Sequence, residues 1–463
     1  MFFSLLFFLS GCATYHPQPL SPEETAAAFD ARSLVDENLR AFFETNRVAV
    51  PGPRDAWDLK QLTLAAFYFQ PALAEARAQL LAVQASEITA GQRPNPSVTV
   101  TPGYDNGIPG APSPWIVPVS FDMPIETAGK RGKRIAEARF QTESARWNLV
   151  GTVWQTRSRL RAALLNLYSG RETAELMSRQ EAAQSNVVRL LAGQFTAGAV
   201  SSYEVTQART TLAAAQLARQ DAMGKANQAR VEMAHALGVP ARALDGVRFS
   251  FTDLNQFPRE LTRPEVRRQA LLDRADVRGA LTDYAASQAA LQIEIANQYP
   301  DIHLGPGYAY NSGSAGDNQW DLGLTLTLPV LNHNQGPVAE AVAKRAQAAA
   351  RFLTVQADAI AEIDSALVGY RAALQQVAAA KTLLNNSQAQ LNSVRAQQQA
   401  GETDPLAVAN AEVEFASGAQ NRLAALIEAQ QSLGALEDAV QSPLTLPPAT
   451  LNAAQNDFSP TPK

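Results

Sequence analysis

The sequence predicts a mainly α-helical protein with a smaller membrane β-barrel portion, built twice over from one helix–strand–strand–long helix–helix unit. Three observations predict it. The stretches PSVTVTPGY (Pro96 to Tyr104) and PDIHLGPGY (Pro300 to Tyr308) share one build, a proline, alternating polar and apolar residues and then Pro-Gly-Tyr, at a distance of 204 residues. Proline breaks helix interiors, and it is missing between Pro124 and Pro240, Pro264 and Pro300, Pro337 and Pro405, and Pro405 and Pro443, so long helices are permitted there. The composition is 46% hydrophobic but only 7% aromatic, which suits long helices better than large aromatic cores. A net charge of -5 leaves no footprint for nucleic acid as a partner.

In chain order, Phe2 to Leu9 is a compact apolar run, too short to span a bilayer as a helix and matched to the core of a secretory signal. It leads into Leu9-Ser10-Gly11-Cys12, which resembles a bacterial lipobox. That resemblance implies a signal peptide over 1–11, cleavage before Cys12 and acylation of that residue, with Ala13 in place of Asp fitting outer-membrane sorting. No Lys or Arg precedes the apolar run. Cys12 is the sole cysteine, so neither a disulfide framework nor a Cys-based metal site forms within one chain. Residues 12–56, proline-rich at both ends, read as a lipid-anchored tether holding one short helix over roughly 21–46.

The duplication extends well beyond its first sighting. Tyr104 and Tyr308 are 204 apart, Trp115 and Trp320 205, Pro124 and Pro329 205, Gly198 and Gly401 203. Landmarks of different chemistry at one offset define a first repeat over 57–247 and a second over 262–442, with a linker over 248–261 and a tail over 443–463. Within the repeats, Leu160, Ala163, Leu164, Leu167 and Tyr168 form one helical face. Leu426, Ala429, Leu433, Leu436 and Val440 follow the 3-4-3-4 spacing of a coiled-coil seam. Glycines at Gly193, Gly198 and Gly401 mark turns, so helices are expected over roughly 130–192 and 338–399. At about 1.5 Å per residue these are rods of roughly 90 to 95 Å.

The strands are expected at about 97–104, 115–123, 301–308 and 319–328. Each has one apolar and one mostly polar face, as with Val98, Val100 and Tyr104 against Ser97, Thr99 and Thr101. A half-buried soluble sheet alternates in the same way. The strand length of about nine to ten residues suits a tilted membrane crossing. Tyr104, Trp115, Tyr308 and Trp320 sit at the loop ends, where an aromatic girdle would lie. Four strands cannot close a barrel, and an open edge cannot face lipid, so several copies must pool their strands.

Lipobox, duplicated halves, paired strands with Gly/Asn-rich loops and long helices turning at "GAVSSYEV" and "GETDPLAV" resemble the TolC-type outer-membrane efflux family, in its lipoprotein branch, over nearly all of the chain from Cys12 to about residue 442. The resemblance implies a homotrimer with a 12-stranded barrel and a helical tunnel across the periplasm, the linker joining an equatorial girdle. It also implies passive export driven by an inner-membrane pump through a periplasmic adaptor protein. In that family acids beyond the turn glycines close the periplasmic end. Here Glu204 keeps an acid, Ala407 and Asn410 do not, and Glu402 and Asp404 lie nearer the turn. These three acids are gate candidates, or else ordinary solvated turn residues with Asp404 capping the next helix. The cluster GKRGKR (Gly129 to Arg134) faces NHNQGP in the second half. Cations at a helix start are disfavoured by the helix dipole, so lipid headgroups, a neighbouring chain's carboxylates or plain solvent must balance them.

Enzyme chemistry is not in evidence. The histidines His16, His235, His303 and His333 are scattered, without metal-ligand spacing, and no phosphate-binding loop, nucleophile elbow or dinucleotide fingerprint occurs. No cofactor and no resident metal are expected, and carboxylate pairs on helices read as solvated faces. The competing architecture is a lipid-anchored periplasmic coiled-coil scaffold or adaptor without a pore, which would bury the strand faces within its own domain.

Overall fold

The structure, a computed structural model, describes residues 14–52, 54–104, 115–258, 263–311 and 317–444. The expected signal peptide, Cys12 and nearly all of the tail lie outside them. The chain begins with α1 (Pro22–Asp30), N-capped by Ser21, and α2 (Glu37–Thr45). The single helix expected over 21–46 is therefore two. Asp36 divides them by accepting hydrogen bonds from the Asn38 and Leu39 backbone N–H groups at 2.8 and 3.1 Å, the competition by which a short acidic side chain starts a new helix.

After β1 (Ala56–Trp57) comes α3 (Leu59–Phe69), started by a capping box of Asp58 with Gln61 and buried at eight positions. Pro71, lacking an N–H, ends α3 and opens α4 (Pro71–Ala90). The first strands, β2 (Ser97–Val100), β3 (Gly103–Tyr104) and β4 (Trp115–Ile125), lead into α5 (Lys130–Thr196), α6 (Ser202–Leu237) and the short β5 (Arg248–Phe249). The second repeat follows as α7 (Arg263–Asp273), α8 (Ala275–Ala296), β6 (Ile302–Asn311), β7 (Asp317–Leu326), α9 (Gln335–Gln399) and α10 (Pro405–Val440). At 67 and 65 residues, α5 and α9 are rods of about 100 Å, slightly longer than the proline-free intervals suggested. Both start from a residue in the left-handed region, Gly129 (φ 69) and Asn334 (φ 59), 205 residues apart.

The two repeats share a joint that splices helices end to end. In the first, α6 stops at Gly238 (φ 80), where an added Cβ would come within 2.9 Å of the Phe69 carbonyl oxygen. The Gln70 side chain donates to the last-turn carbonyls of His235 and Ala236, each at 2.7 Å, so α4 continues where α6 ends. Arg32 closes the same joint by donating to the carbonyls of Phe69 and Gly238 at 2.9 and 2.7 Å. In the second repeat Arg274 donates to Ala439 O at 2.8 Å, and the Ala275 N–H donates to the Gln441 side chain at 2.8 Å. These contacts satisfy carbonyls that every helix end leaves unpaired.

Around the first joint lies the main core, where Leu39, Phe43, Trp57, Leu62 and Phe67 meet Leu160 and Leu164 of α5 and Met233 and Leu237 of α6. The stretch expected as a tether thus contributes α2 to the core, and β1 pairs in parallel with β5 of the linker. A second core joins Ile363, Leu367 and Tyr370 of α9 to Leu433, Leu436 and Val440 of α10. The long α5 packs along α4 and α6 and also along α8 and α10, whereas α9 packs along α8 and α10 with α7 at one point.

Candidate channel wall and helical tip

The strands of both repeats form one antiparallel sheet in the order β2–β4–β6–β7, with β3 continuing β2 along β4. Pro102, unable to donate a ladder hydrogen bond, separates β2 from β3. The register collects the apolar residues on one face. Val98 meets Phe121, Val100 meets Val119, Met123 meets Leu304, Ile125 meets Ile302, and Leu324 and Leu326 meet Leu304 and Ile302. Among the described residues nothing covers this face: Trp320, Leu322 and Leu324 are 78%, 71% and 68% exposed. The eleven residues of β4, at about 3.3 Å each and tilted by roughly 40°, rise about 28 Å, enough to cross the roughly 25 Å apolar band of a membrane barrel.

The opposite face is mostly polar, carrying hydroxyls, acids and one histidine. Thr99 meets Ser120, His303 meets Thr325, and Gly307 meets Asp321. His303 Nδ1 lies 3.0 Å from the nearer carboxylate oxygen of Asp122. No Lys or Arg occurs in these strands. Both outer strands, β2 and β7, keep an unpaired edge among the described residues.

The girdle candidates occur as two contacting pairs. Tyr104 meets Trp115 edge to face, with ring centroids 5.2 Å apart, and Tyr308 meets Trp320 at 4.8 Å. Tyr308 registers with Val119, four residues along β4 from Trp115, and strand tilt reduces such a stagger to a smaller difference in height. Tyr310, which the sequence reading passed over, lies on the same face, exposed, opposite Val117.

At the other end of α5 the turns bring the gate candidates to the tip of the helices. Glu204 forms a capping box with Ser201, its carboxylate accepting from the Ser201 N–H at 2.7 Å and from the hydroxyl at 3.0 Å. Asp404 caps α10 through the Ala407 N–H at 2.9 Å, and its other oxygen accepts from Gln194 Nε2 at 3.1 Å. Glu402 is exposed in the turn between α9 and α10. The tip of α5 therefore touches the start of α10, while each acid keeps water access.

Among the described residues no helix is long and apolar enough to cross a membrane, and no group of three or more His, Cys, Asp or Glu gathers in a way that would hold a metal ion. The family model for outer membrane efflux proteins matches residues 69–239 and 266–440, one match in each repeat.

The chain belongs to the outer membrane efflux protein family.

Its solved likenesses have the same fold. The outer membrane protein VceC of Vibrio cholerae is 18% identical with a TM-score of 0.67, covering 82% of this chain and 95% of its own. The outer-membrane channel OprN is 19% identical with a TM-score of 0.69, over 94% and 99%. The open state of the Neisseria gonorrhoeae MtrE outer membrane channel is 17% identical with a TM-score of 0.66, over 84% and 89%. No curated protein matches the chain. This efflux protein is thus an outer-membrane channel component, and the poreless scaffold is set aside. The family is one of transport, not catalysis.

One feature of this efflux protein escaped the sequence reading. Halfway along α5, Arg157 and Arg161 are buried against Glu437 of α10 at 3.1 and 3.3 Å. The neighbouring Asp438 accepts from Trp154 Nε1 at 2.9 Å and Ser158 Oγ at 2.7 Å. Gln430 completes the cluster, accepting from Arg161 at 2.9 Å and donating to the linker carbonyl of Leu254 at 2.7 Å. Burial pulls the Arg161 guanidinium below its ordinary value, with the Glu437 charge acting in the opposite sense. The signal was spread over positions 280 residues apart, which local periodicity does not reach.

Proposed function

We propose that three copies of this efflux protein close into one conduit, pooling four strands each into a 12-stranded barrel whose apolar face meets lipid. One observation carries the reading: a four-stranded sheet that, among the described residues, has an uncovered apolar face and two free edges satisfies neither water nor lipid until other copies complete it. β7 of one copy runs antiparallel to β2 of the next in such a ring, and the even strand number follows. The helices support the same closure. α4, α6 and α9 carry exposed apolar residues, including Ile88, Leu217, Leu353 and Val368, which neighbouring copies would cover.

The polar faces then line a water-filled passage, and the helices continue it by about 100 Å. Transport through it is passive, with energy from an inner-membrane pump coupled by a periplasmic adaptor. Cys12 anchors each copy to the outer membrane by its acyl chains. Glu204, Glu402 and Asp404, present three times around the axis, tune the periplasmic opening by mutual repulsion and cation attraction.

Single-channel conductance of the detergent-purified protein in planar bilayers tests the pore and gate together, using E204Q, E402Q and D404N combined. Gln and Asn retain the capping hydrogen bonds, so beyond charge only the Gln194–Asp404 contact is lost. Discrete openings, more frequent in the variant, are expected. Openings unchanged by the substitutions discard the gate, and a silent protein discards the pore.

A further inference from the structure

The foot of the sheet carries a charge pattern that its own fold does not need. Directly beyond Ile125, the first two turns of α5 hold Lys130, Arg131, Lys133 and Arg134, where the helix dipole disfavours cations. Two of the four are balanced inside the chain. Lys130 pairs with Asp301 at 2.8 Å, and Arg134 pairs with Glu126. Among the described residues, Arg131 and Lys133 find only backbone carbonyls, Gly91 O at 2.7 Å and Ala128 O at 3.3 Å. Arg93 stands exposed beside them, since Arg134 also reaches Gln92 O.

The second repeat works as an internal control. It starts α9 from a left-handed residue at the matching position, Asn334 for Gly129, and at the matching offsets it has Asn297, Gly336 and Val338 in place of Arg93, Arg131 and Lys133. The helix start therefore forms without the cations. What sets the first repeat's patch apart is its height. β2 begins four residues after Arg93, and β4 ends five residues before Lys130, at the same end of the apolar face. A sheet seated in a bilayer by that face brings the patch level with the phosphates of the periplasmic leaflet.

We propose that Arg93, Arg131 and Lys133 form a binding surface for anionic phospholipid headgroups of the periplasmic leaflet, one patch per copy. This rests on the sheet being a membrane wall. Each cation near an anionic lipid surface contributes about fivefold in affinity, and the second repeat, with Asn297, Gly336 and Val338 at the matching positions, adds no counterpart of this patch to the alternate sectors of the foot.

The test uses the full-length protein in detergent micelles doped with equal amounts of phosphatidylglycerol and phosphatidylcholine, with bound lipid counted by native mass spectrometry. The wild type should retain phosphatidylglycerol preferentially. The triple variant R93Q/R131Q/K133Q should lose that preference, and K225Q, on α6, should keep it. Raised salt should weaken it in the wild type. Equal retention of both lipids by the wild type overturns the proposal, as does a preference that survives the triple change. A triple variant that keeps the lipid preference but falls apart into single copies overturns it in favour of a neighbouring chain's carboxylates. If the triple variant does not fold, R93Q alone should lose about fivefold. Flotation of the wild type with liposomes, run in parallel, separates the two levels: a protein that fails to float refutes the membrane wall itself.

Discussion

Glu437 has no solvent exposure, and its partners Arg157 and Arg161 are nearly as enclosed. Removing one member of a buried ion group leaves the others charged and unpaired, which costs about 3–5 kcal/mol, whereas replacing the whole group with apolar residues is often close to neutral. E437L should therefore lower the thermal unfolding midpoint of the purified protein sharply, and R157L/R161L/E437L should recover most of the loss. A triple variant no more stable than E437L would show that the hydrogen bonds of Arg161 to Gln430 dominate instead. The seam is legible in the sequence on both sides of this residue, since Leu433, Leu436 and Val440 are buried as their spacing implies. The buried acid is not, because a charge beside an apolar stripe ordinarily lies at its solvated rim, and the compensating arginines belong to the other repeat. The gate candidates were legible as turn acids, and their capping bonds follow from local sequence alone.

Among the elements, the spliced joints are the most exposed to single changes. Gly238→Ala places a Cβ in the left-handed region and against the Phe69 carbonyl. A penalty of at least about 1–2 kcal/mol is expected, read as a lower unfolding midpoint. Gly246→Ala, also at positive φ but with open space around it, should cost less. The second joint adds a pH dependence. Burial raises the Asp276 carboxyl, but the Arg274 guanidinium and the Val277 N–H outweigh it and hold the group below its ordinary value. A carboxylate depressed on folding stabilises above its unfolded pKa of about 3.9 and loses that contribution as pH falls through the folded value. D276N should flatten the acid limb of a stability–pH curve, and an unchanged limb would remove Asp276 from the joint. Prolines made the long helices legible to within a few residues. The joints were not legible, because each unites residues more than 160 positions apart.

For the whole molecule, the proposed barrel sets adjacent positions of β7 on opposite sides, one towards lipid and one towards water. Leu324→Arg puts a charge on the apolar face, at a cost of about 2–4 kcal/mol near the bilayer midplane. Thr325→Arg, one residue on, faces the passage. Outer-membrane fractionation should recover little L324R and near-normal T325R, and planar-bilayer recording should show altered ion selectivity for T325R. Equal recovery of both would remove the distinction between the faces, and better recovery of L324R than of T325R would reverse it. Alternation made the faces legible in the sequence, whereas the order β2–β4–β6–β7 depends on pairing between repeats that no local pattern encodes. The spliced joints also bear on how such a conduit can change length in descent. A rod of 67 residues runs beside one made from 36 and 20 residues set end to end, and the second repeat copies the arrangement. A heptad added to one rod alone would pull its joint open or push its turn out of line with the other turn at the tip. Lineages can therefore lengthen or shorten the passage only by matched insertions or deletions in all of these segments, which makes periplasmic reach an inherited property of the duplicated unit.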